Sequence, residues 1–260
     1  MAATLLDRAH SMNTWIGIGR SELGLVRATN QDAFATMDPL GLWAVADGMG
    51  GHAGGDVAAQ TAIASIKGQA ELTAEILRQS GGSPSAFLTD LIAQAHRAIL
   101  ERAALESSLE GMGTTIVLLM IPSSTPPSAH VAHLGDSRAY LFRSGRLKAL
   151  TRDHTLIERY LERGILTPKT AKIHPERHVL TQALGVSSPV RPTISSHPLE
   201  RNDILVLCSD GLTKMLEDDQ IRDICDAAQG DPVRTCDLLI DASLDRGGMD
   251  NVTVVVVTRA

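Results

Sequence analysis

Three aspartates, far apart in the sequence, stand next to apolar, strand-like runs. Asp47 and Asp210 each follow such a run and precede a glycine, and Asp250 precedes Asn251 and a third run. Asp-Gly and Asp-Asn pairs are also common in ordinary turns, so each aspartate alone has a second, purely structural interpretation. A carboxylate at the end of an apolar strand loses hydration, which costs on the order of several kcal/mol unless a cation or a hydrogen-bond donor compensates.

The local sequence offers these carboxylates few neutralising groups. No Lys or Arg lies within three residues of Asp47, and Asp210 has only Lys214 nearby. The potential metal ligands near these aspartates in the sequence are oxygen atoms, and no cysteine ligand and no His-x-x-x-His pair accompanies them. This donor set favours magnesium or manganese over zinc. The sequence therefore predicts a site for a hard divalent cation.

A glycine-rich segment, residues 47–56, lies between a strand-like run and a helical one, where phosphate-binding loops also occur. It lacks the Gly-Lys-Ser/Thr of a P-loop, and the Gly-x-Gly-x-x-Gly spacing fails because position 53 is Ala53. Glycine here more plausibly lets the backbone approach a metal, with the Gly48 carbonyl available as a ligand.

The three cysteines are an odd number without a Cys-x-x-Cys pair, which fits neither a disulfide framework nor a thiolate zinc site and indicates a reducing compartment. A cysteine phosphatase needs a thiolate six residues before an arginine. The residues six positions after Cys208, Cys225 and Cys236 are Lys214, Asp231 and Ala242. That class of hydrolase is excluded.

The composition of the 260 residues, 43% hydrophobic and 21% charged, is typical of a folded globular protein. A net charge of −6 and only 3% aromatic residues argue against nucleic acid as a partner. The first residues lack the unbroken apolar stretch of a signal peptide, and no later run approaches the ~20 residues that cross a bilayer. We expect a cytoplasmic protein without a membrane partner.

The elements that must position the aspartates alternate between strand-like runs and helical segments. Val-, Ile- and Leu-rich runs predict strands at 42–46, 115–121, 130–134, 139–142, 204–208 and 252–258. Apolar spacing and caps predict helices at 84–99 and 232–244, and shorter ones at 56–66 and 217–228. Ser144-Gly145 predicts a tight hairpin, and residues 122–128 a long hairpin loop. This order favours antiparallel sheets covered by helices, with a polar surface excursion at 155–179.

Taken in order, the motifs resemble those of the type 2C, metal-dependent Ser/Thr protein phosphatases, bacterial branch. They run from about residue 16 to residue 258: Arg27-Ala-Thr-Asn-Gln-Asp32, Asp47-Gly-Met-Gly-Gly-His52, Gly113-Thr-Thr115, Gly135-Asp-Ser-Arg138, Leu180-Thr-Gln-Ala-Leu-Gly185, Ser209-Asp-Gly211 and Asp250-Asn251. Each motif alone is weakly specific, whereas seven in this order are strongly specific.

The resemblance implies an α+β fold, an α-β-β-α sandwich of two central antiparallel sheets flanked by helices. It divides the chain into an N-terminal tail at 1–12 and a single phosphatase domain at 13–260. The excursion at 155–179 corresponds to the family's flap, which borders the site and influences substrate choice.

The resemblance also implies the metal ligands. Asp47 would bridge two Mn²⁺ or Mg²⁺ ions, the Gly48 carbonyl would bind one of them, and Asp210 and Asp250 would hold the other. Asp32 would act mainly through metal-bound water.

Further roles follow for residues around the ions. Arg27 would contact the substrate phosphate, and His52 is a candidate general acid, although a structural role for it is equally open. Glu110 stands near the place where the family often has an aspartate for a third, weaker ion, and could substitute for it. For Asp136 we expect a structural hydrogen bond, because it lies in a strand pair two residues before Arg138.

The implied activity is hydrolysis of phosphoserine and phosphothreonine in proteins by direct attack of a hydroxide that bridges the two ions. Phosphorylated proteins, including a Ser/Thr kinase or its substrates, would be the partners of a monomeric enzyme. The alternative is a catalytically inactive pseudophosphatase that binds phosphoproteins. Loss of a metal aspartate would favour that alternative, and none is lost.

Overall fold

Two antiparallel β-sheets lie face to face in the computed structural model, which describes residues 15–49, 54–80, 82–186 and 189–260. The first sheet has the strand order β1-β11-β10-β7-β8, and the second has the order β2-β3-β5-β6-β9, with the short β4 paired to the end of β3. The first contains β1 (Trp15–Glu22), β7 (Arg138–Arg143), β8 (Arg146–Ala149), β10 (Ile204–Cys208) and β11 (Val252–Arg259). The second contains β2 (Asp32–Met37), β3 (Leu42–Met49), β4 (Gly113–Thr114), β5 (Ile116–Met120), β6 (Ser128–Leu134) and β9 (Thr193–Pro198).

Helices cover the outer face of each sheet. Two long helices, α1 (Gly55–Ser80) and α2 (Pro84–Leu105), pack on the second sheet. The first sheet is covered by α5 (Asp210–Thr213), α6 (Asp218–Ala227) and α7 (Pro232–Asp245). Two short helices, α3 (Leu156–Glu162) and α4 (Pro168–Ala171), lie in the 155–179 excursion. The α+β sandwich implied by the resemblance is therefore confirmed.

The layer between the sheets is the central core. Side chains from both inner faces fill it, among them Trp43 and Val117 from the second sheet and Leu205 and Val255 from the first. Because β3, β5, β10 and β11 are covered on both faces, their sequences are nearly continuous apolar runs.

Each of the six predicted strands and four predicted helices overlaps an observed element. Residues 115 and 121 lie outside β5, and residues 217 and 228 lie outside α6. The helix predicted at 56–66 continues to Ser80, and the polar excursion contains α3 and α4. The Ser144-Gly145 hairpin is present, with φ of 50° and 75° at its two central residues.

Four strands were not predicted: β1, β2, the two-residue β4 and β9. β1 contains Gly17 and Gly19, which sequence rules treat as breakers. In the structure a Cβ on Gly17 would lie 2.1 Å from Trp43 Nε1, so the glycine lets β1 approach the central core. β9 is an edge strand that pairs with β6. Its sequence, Thr-Ile-Ser-Ser-His-Pro, is polar and has no apolar run that would predict a strand.

Among the helices that the structure describes, none is both long and apolar enough to cross a membrane.

Candidate active site

A cleft of about 540 Å³ opens where the two sheets end side by side. Residues from both sheets and from the segment after the excursion line it: Arg27, Gln31, Asp47, Gly48, Met49, Gly111, Thr115, Asp136, His178, Leu180, Gln182, Ala183, Val186, Asp210, Lys214, Asp250 and Asn251. The three aspartates singled out from the sequence therefore face one cavity. Arg27 and Gly48 face it as well.

Asp47 is held near the end of β3 by the Gly-Thr-Thr motif. Its backbone N–H donates to Thr115 Oγ1 over 3.1 Å, and its carbonyl accepts from Thr114 Oγ1 and from the Thr115 N–H, both over 2.9 Å. Thr115 Oγ1 also shares a 2.7 Å hydrogen bond with Ser137 Oγ. The motif thus fixes the backbone of Asp47 and leaves its carboxylate free to face the cleft.

Asp32 lies directly across the β2–β3 pair from Asp47. Its Oδ2 accepts from Ser209 Oγ and from Thr253 Oγ1, each over 2.7 Å, so it joins the two sheets. Its other oxygen, Oδ1, is buried and has no hydrogen-bond partner within the described part of the chain. A buried carboxylate oxygen without a partner is a place where a water or a cation can bind.

Asp250 and the loop that carries Arg27 are held together by Asn251. The Asn251 side chain accepts from the Gln31 N–H over 2.9 Å and donates to the carbonyls of Leu23 and Thr29. Arg27 then forms a two-pronged ion pair with Asp250, with Nε–Oδ1 at 2.7 Å and Nη2–Oδ2 at 2.9 Å. The Asp-Asn motif therefore places Arg27 at the edge of the cleft.

Lys214 contacts both Asp210 and Asp250. Its Nζ lies 2.5 Å from Asp210 Oδ2 and 2.7 Å from Asp250 Oδ2. As they stand, no three His, Cys, Asp or Glu side chains of the described residues are grouped so that they could hold an ion. The candidate ligands share a cleft, but two of them are engaged by a lysine.

The aspartates in and beside the cleft outnumber its positively charged side chains, and most of these carboxylates have raised pKa values. Burial, followed by the charges of Asp32 and Asp210, raises the pKa of Asp47 well above its usual value. Burial is also the main reason that the pKa of Asp32 rises to about 6 and that of Asp136 to about 7. Asp250 differs, because hydrogen bonds from Lys214 and Arg27 outweigh burial and lower its pKa.

The residues present fit a divalent cation. Four aspartates line the cleft, whereas its described lining contains one arginine, one lysine and one histidine, and the donors are hard carboxylate and carbonyl oxygens. Additional positive charge would stabilise the ionised carboxylates against the burial, and then the mutual repulsion, that raise their pKa values.

Asp136 occupies the turn in which the chain passes from β6 in one sheet to β7 in the other. The expectation that Arg138 would hold it is wrong, because Arg138 donates to both oxygens of Asp153, over 2.8 and 2.7 Å. The Asp136 carboxylate instead lines the cleft. Glu110 is exposed beside the lining residue Gly111.

The end of the excursion and the segment after it form one wall of the cleft through His178, Leu180, Gln182 and Val186. Partial burial, with the charges of Lys214 and Arg177, lowers the pKa of His178. His52, the candidate acid, lies outside the described residues.

Sequence reasoning did not assign a role to Lys214, Asn251 or His178 in the cleft. Lys214 stands four residues after Asp210, a spacing that brings two side chains together on a helix, and this was the available signal. Asn251 belongs to the Asp250-Asn251 motif, but its contacts with Leu23, Thr29 and Gln31 join distant segments and could not be predicted from local spacing. His178 lines the cleft without a local signature in the sequence.

Comparison with known proteins gives a consistent match. The family model described as protein phosphatase 2C matches residues 25–233. The serine/threonine protein phosphatase PstP of Mycobacterium tuberculosis is 37% identical over 237 residues, which are 91% of this chain and 43% of PstP. The serine/threonine phosphatase Stp of Listeria welshimeri is 34% identical over 243 residues, which are 92% of this chain and 94% of that protein.

Solved structures agree with this. The crystal structure of M. tuberculosis PstP superposes with a TM-score of 0.84 at 35% identity, over 94% of this chain and 98% of that one. A structure of the PstP catalytic domain in complex with two manganese ions gives 0.80 at 34% identity, over 94% of this chain and 99% of that one.

The chain spans less than half the length of the M. tuberculosis relative that it matches. The family-model match nevertheless contains six of the seven motifs; it leaves out β1, β11 and the Asp250-Asn251 motif. The PstP structure superposes over 94% of this chain. The motif order and the architecture point to one conclusion: the chain belongs to the protein phosphatase 2C family.

Proposed function

We propose that this chain is a divalent-metal-dependent protein phosphatase that hydrolyses phosphoserine and phosphothreonine. The observation that carries the proposal is the cleft in which Asp47, Asp210 and Asp250 meet beside Arg27. Family membership and the manganese complex of the PstP catalytic domain support the same activity. All the residues that the activity requires are present, which argues against the pseudophosphatase alternative.

In this proposal two Mn²⁺ or Mg²⁺ ions are held by Asp47, the Gly48 carbonyl, Asp210 and Asp250. When bound, the ions would supply Lewis acidity that makes water nucleophilic near neutral pH and positive charge for the phosphoryl oxygens. Asp32, anchored through one oxygen by Ser209 and Thr253, keeps its other oxygen for the water shell of the site.

The other ligands that could complete the site are carboxylates near its edge. Asp136 faces the cleft and is the better placed candidate for a third, weaker ion. Glu110, assigned to that ion from the sequence, is exposed and adjoins the lining through Gly111.

Arg27 binds and orients the substrate phosphate. Its planar guanidinium already forms two parallel contacts with the Asp250 carboxylate, and the same fork fits two phosphoryl oxygens. The flap at 155–179 borders the cleft through His178 and is placed to influence which substrate segment enters. The imidazole of His178 is a second candidate, beside His52, for transfer of a proton to the leaving oxygen.

The enzyme would be a monomer with a single phosphatase domain over residues 13–260. It would act in bacterial cytoplasmic signalling and remove phosphate groups that a Ser/Thr kinase adds. Three buried, free cysteines, Cys208, Cys225 and Cys236, are compatible with such a reducing compartment. An active site built on ions and one arginine recognises phosphate, so the flanking peptide is selected elsewhere.

The direct test is phosphate release from a phosphothreonine peptide and from p-nitrophenyl phosphate, with Mn²⁺ and with EDTA. We expect turnover with Mn²⁺, none in EDTA and recovery when Mn²⁺ is restored. Asp210→Asn should abolish turnover and leave the circular dichroism spectrum unchanged, because it removes a charge without removing volume. Asp226→Asn removes the same charge from the exposed face of α6 and should have no effect.

Two results would contradict the proposal. One is activity that survives the chelator. The other is activity that is lost on alkylation of thiols, since the three cysteines are buried and lie outside the cleft lining.

A further inference from the structure

Lys214 holds two of the candidate metal ligands at once. It follows the four-residue helix α5, and its backbone N–H donates to the Asp210 carbonyl over 2.8 Å. From there the side chain turns back over the helix, and Nζ contacts Asp210 and Asp250 at 2.5 and 2.7 Å. The Lys214 side chain is only 28% exposed, so solvent screens these two contacts less than it would screen a surface ion pair.

The two aspartates come from different parts of the chain. Asp210 starts α5, and Asp250 precedes β11. Their carboxylates repel each other, and the ammonium is the described group that touches both. Of these two aspartates, Arg27 forms its ion pair with Asp250.

A divalent cation bound by Asp210 and Asp250 would need the oxygens that Lys214 now contacts. It would also be repelled by an ammonium held at this position. The lysine contacts and the bound ion therefore exclude each other, at least at Asp210 Oδ2 and Asp250 Oδ2.

We propose that Lys214 is a tethered counter-ion, which holds Asp210 and Asp250 together in the metal-free protein and competes with the divalent cation for them. This inference rests on the metal site of the proposed function and adds a determinant of its affinity. A contact that forms only in the metal-free state stabilises that state. By linkage, the apparent metal affinity falls by the same factor as the stabilisation. Lys214 is in this sense a positioning residue and not a metal ligand.

The test is calorimetric titration of the full chain with Mn²⁺, comparing the wild type with Lys214→Gln. Removing the competitor should lower the dissociation constant at least about fivefold, the scale of a lost charge-assisted hydrogen bond. Lys214→Arg keeps the positive charge and the reach, and should stay near the wild-type value. Lys148→Gln, on the exposed face of β8, removes the same charge away from the cleft and should not change the affinity.

Thermal unfolding supplies a second readout that does not depend on activity. In EDTA, Lys214→Gln should unfold at a lower temperature than the wild type, because Asp210 and Asp250 lose their shared partner. In saturating Mn²⁺ the difference should disappear or reverse, since the ion takes the same oxygens. A lysine with a merely structural role would lower the unfolding temperature equally in both conditions.

An unchanged or weaker Mn²⁺ affinity in Lys214→Gln would overturn this inference alone. The absence of Mn²⁺ uptake by both proteins would overturn it together with the metal site of the proposed function. A wild type that binds Mn²⁺ but hydrolyses no phosphopeptide refutes the phosphatase activity and leaves the competition measurable.

Discussion

At the scale of single residues, the pairing of Arg27 with Asp250 links substrate binding to the acidic cluster. The guanidinium contacts both carboxylate oxygens, and neighbouring carboxylates raise its pKa, so it stays charged. A group with this geometry can exchange a carboxylate for a phosphate without rearranging the loop around it.

Replacement of Arg27 tests this role. Arg27→Ala should raise KM for a phosphothreonine peptide about tenfold or more with a smaller change in kcat, because the phosphate contacts exist in both the ground state and the transition state. Steady-state kinetics with saturating Mn²⁺ would measure it, with Arg146→Ala on exposed β8 as the matched control. A fall in kcat at unchanged KM would show that Arg27 acts only in the transition state.

The residues of the cleft differ in how far the sequence could predict them. Asp47, Asp210 and Asp250 were found because each adjoins a buried strand, and burial makes a carboxylate unusual. Asp136 was misjudged, because its nearest arginine in the sequence, Arg138, pairs in space with Asp153. Local spacing predicts candidate partners, whereas tertiary packing selects among them.

At the scale of elements, the start of α5 packs directly against the start of β11. A Cβ on Gly211 would lie 1.9 Å from the Asn251 carbonyl oxygen, and Ser243 Oγ donates to the Gly211 carbonyl over 3.2 Å. This close approach places Asp210 beside Asp250. The glycine is therefore required for space at the point where the two motifs meet.

Gly211→Ala should destabilise the protein by roughly 1–3 kcal/mol, the usual cost of overpacking, and should weaken Mn²⁺ binding because the two aspartates separate. Urea unfolding and metal titration would measure the two effects. Gly68→Ala is the matched control: its Cβ would meet no atom within 4 Å, on the exposed side of α1, and it should stabilise by up to about 1 kcal/mol. Equal behaviour of the two variants would contradict the packing argument.

The base of the excursion contains a stacked histidine pair, His133 and His154, with ring centroids 4.5 Å apart. His154 Nδ1 accepts from the Gly135 N–H over 3.4 Å, which requires an unprotonated nitrogen, and Nε2 bonds to Thr193 Oγ1 over 2.9 Å. Burial, followed by the neighbouring His133, lowers the pKa of His154 to about 4. The folded protein thus favours the neutral ring beside the turn that carries Asp136.

The lowered pKa of His154 predicts that acid destabilises the folded protein. The unfolded chain binds a proton at His154 near pH 6.5, whereas the folded protein does so only near pH 4. The stability from the neutral ring is therefore present above pH 6.5 and is lost as the pH falls from 6.5 towards 4. Unfolding temperatures measured from pH 7 to pH 4.5 should fall less steeply for His154→Gln than for the wild type, and parallel curves would contradict this.

At the scale of the whole molecule, the candidate site straddles the two sheets. Asp32 and Asp47 belong to the second sheet, Asp210 and Asp250 adjoin strands of the first, and Asp136 lies in the turn between them. An ion bound in the cleft would connect the two sheets, and binding to the folded state alone raises stability by mass action.

This arrangement also explains what the sequence could not predict. Apolar runs and turn residues identified the strands that are covered on both faces, such as β5 and β10. They could not identify β1, in which Gly17 makes room for the Trp43 ring and Gly19 for the Phe34 ring. Nor could they identify the strand order, which depends on contacts between distant segments. The resemblance to the phosphatase family predicted that Asp47, Asp210 and Asp250 meet in one site. The local sequence patterns did not predict this.

The most direct measurement of the central claim is the number of manganese ions bound per chain, counted by equilibrium dialysis at millimolar Mn²⁺. We predict two ions for the wild type, as in the PstP catalytic domain, and fewer for Asp47→Asn and Asp210→Asn, with unchanged circular dichroism spectra. No bound manganese in the wild type, or the same number in all three proteins, would contradict the account.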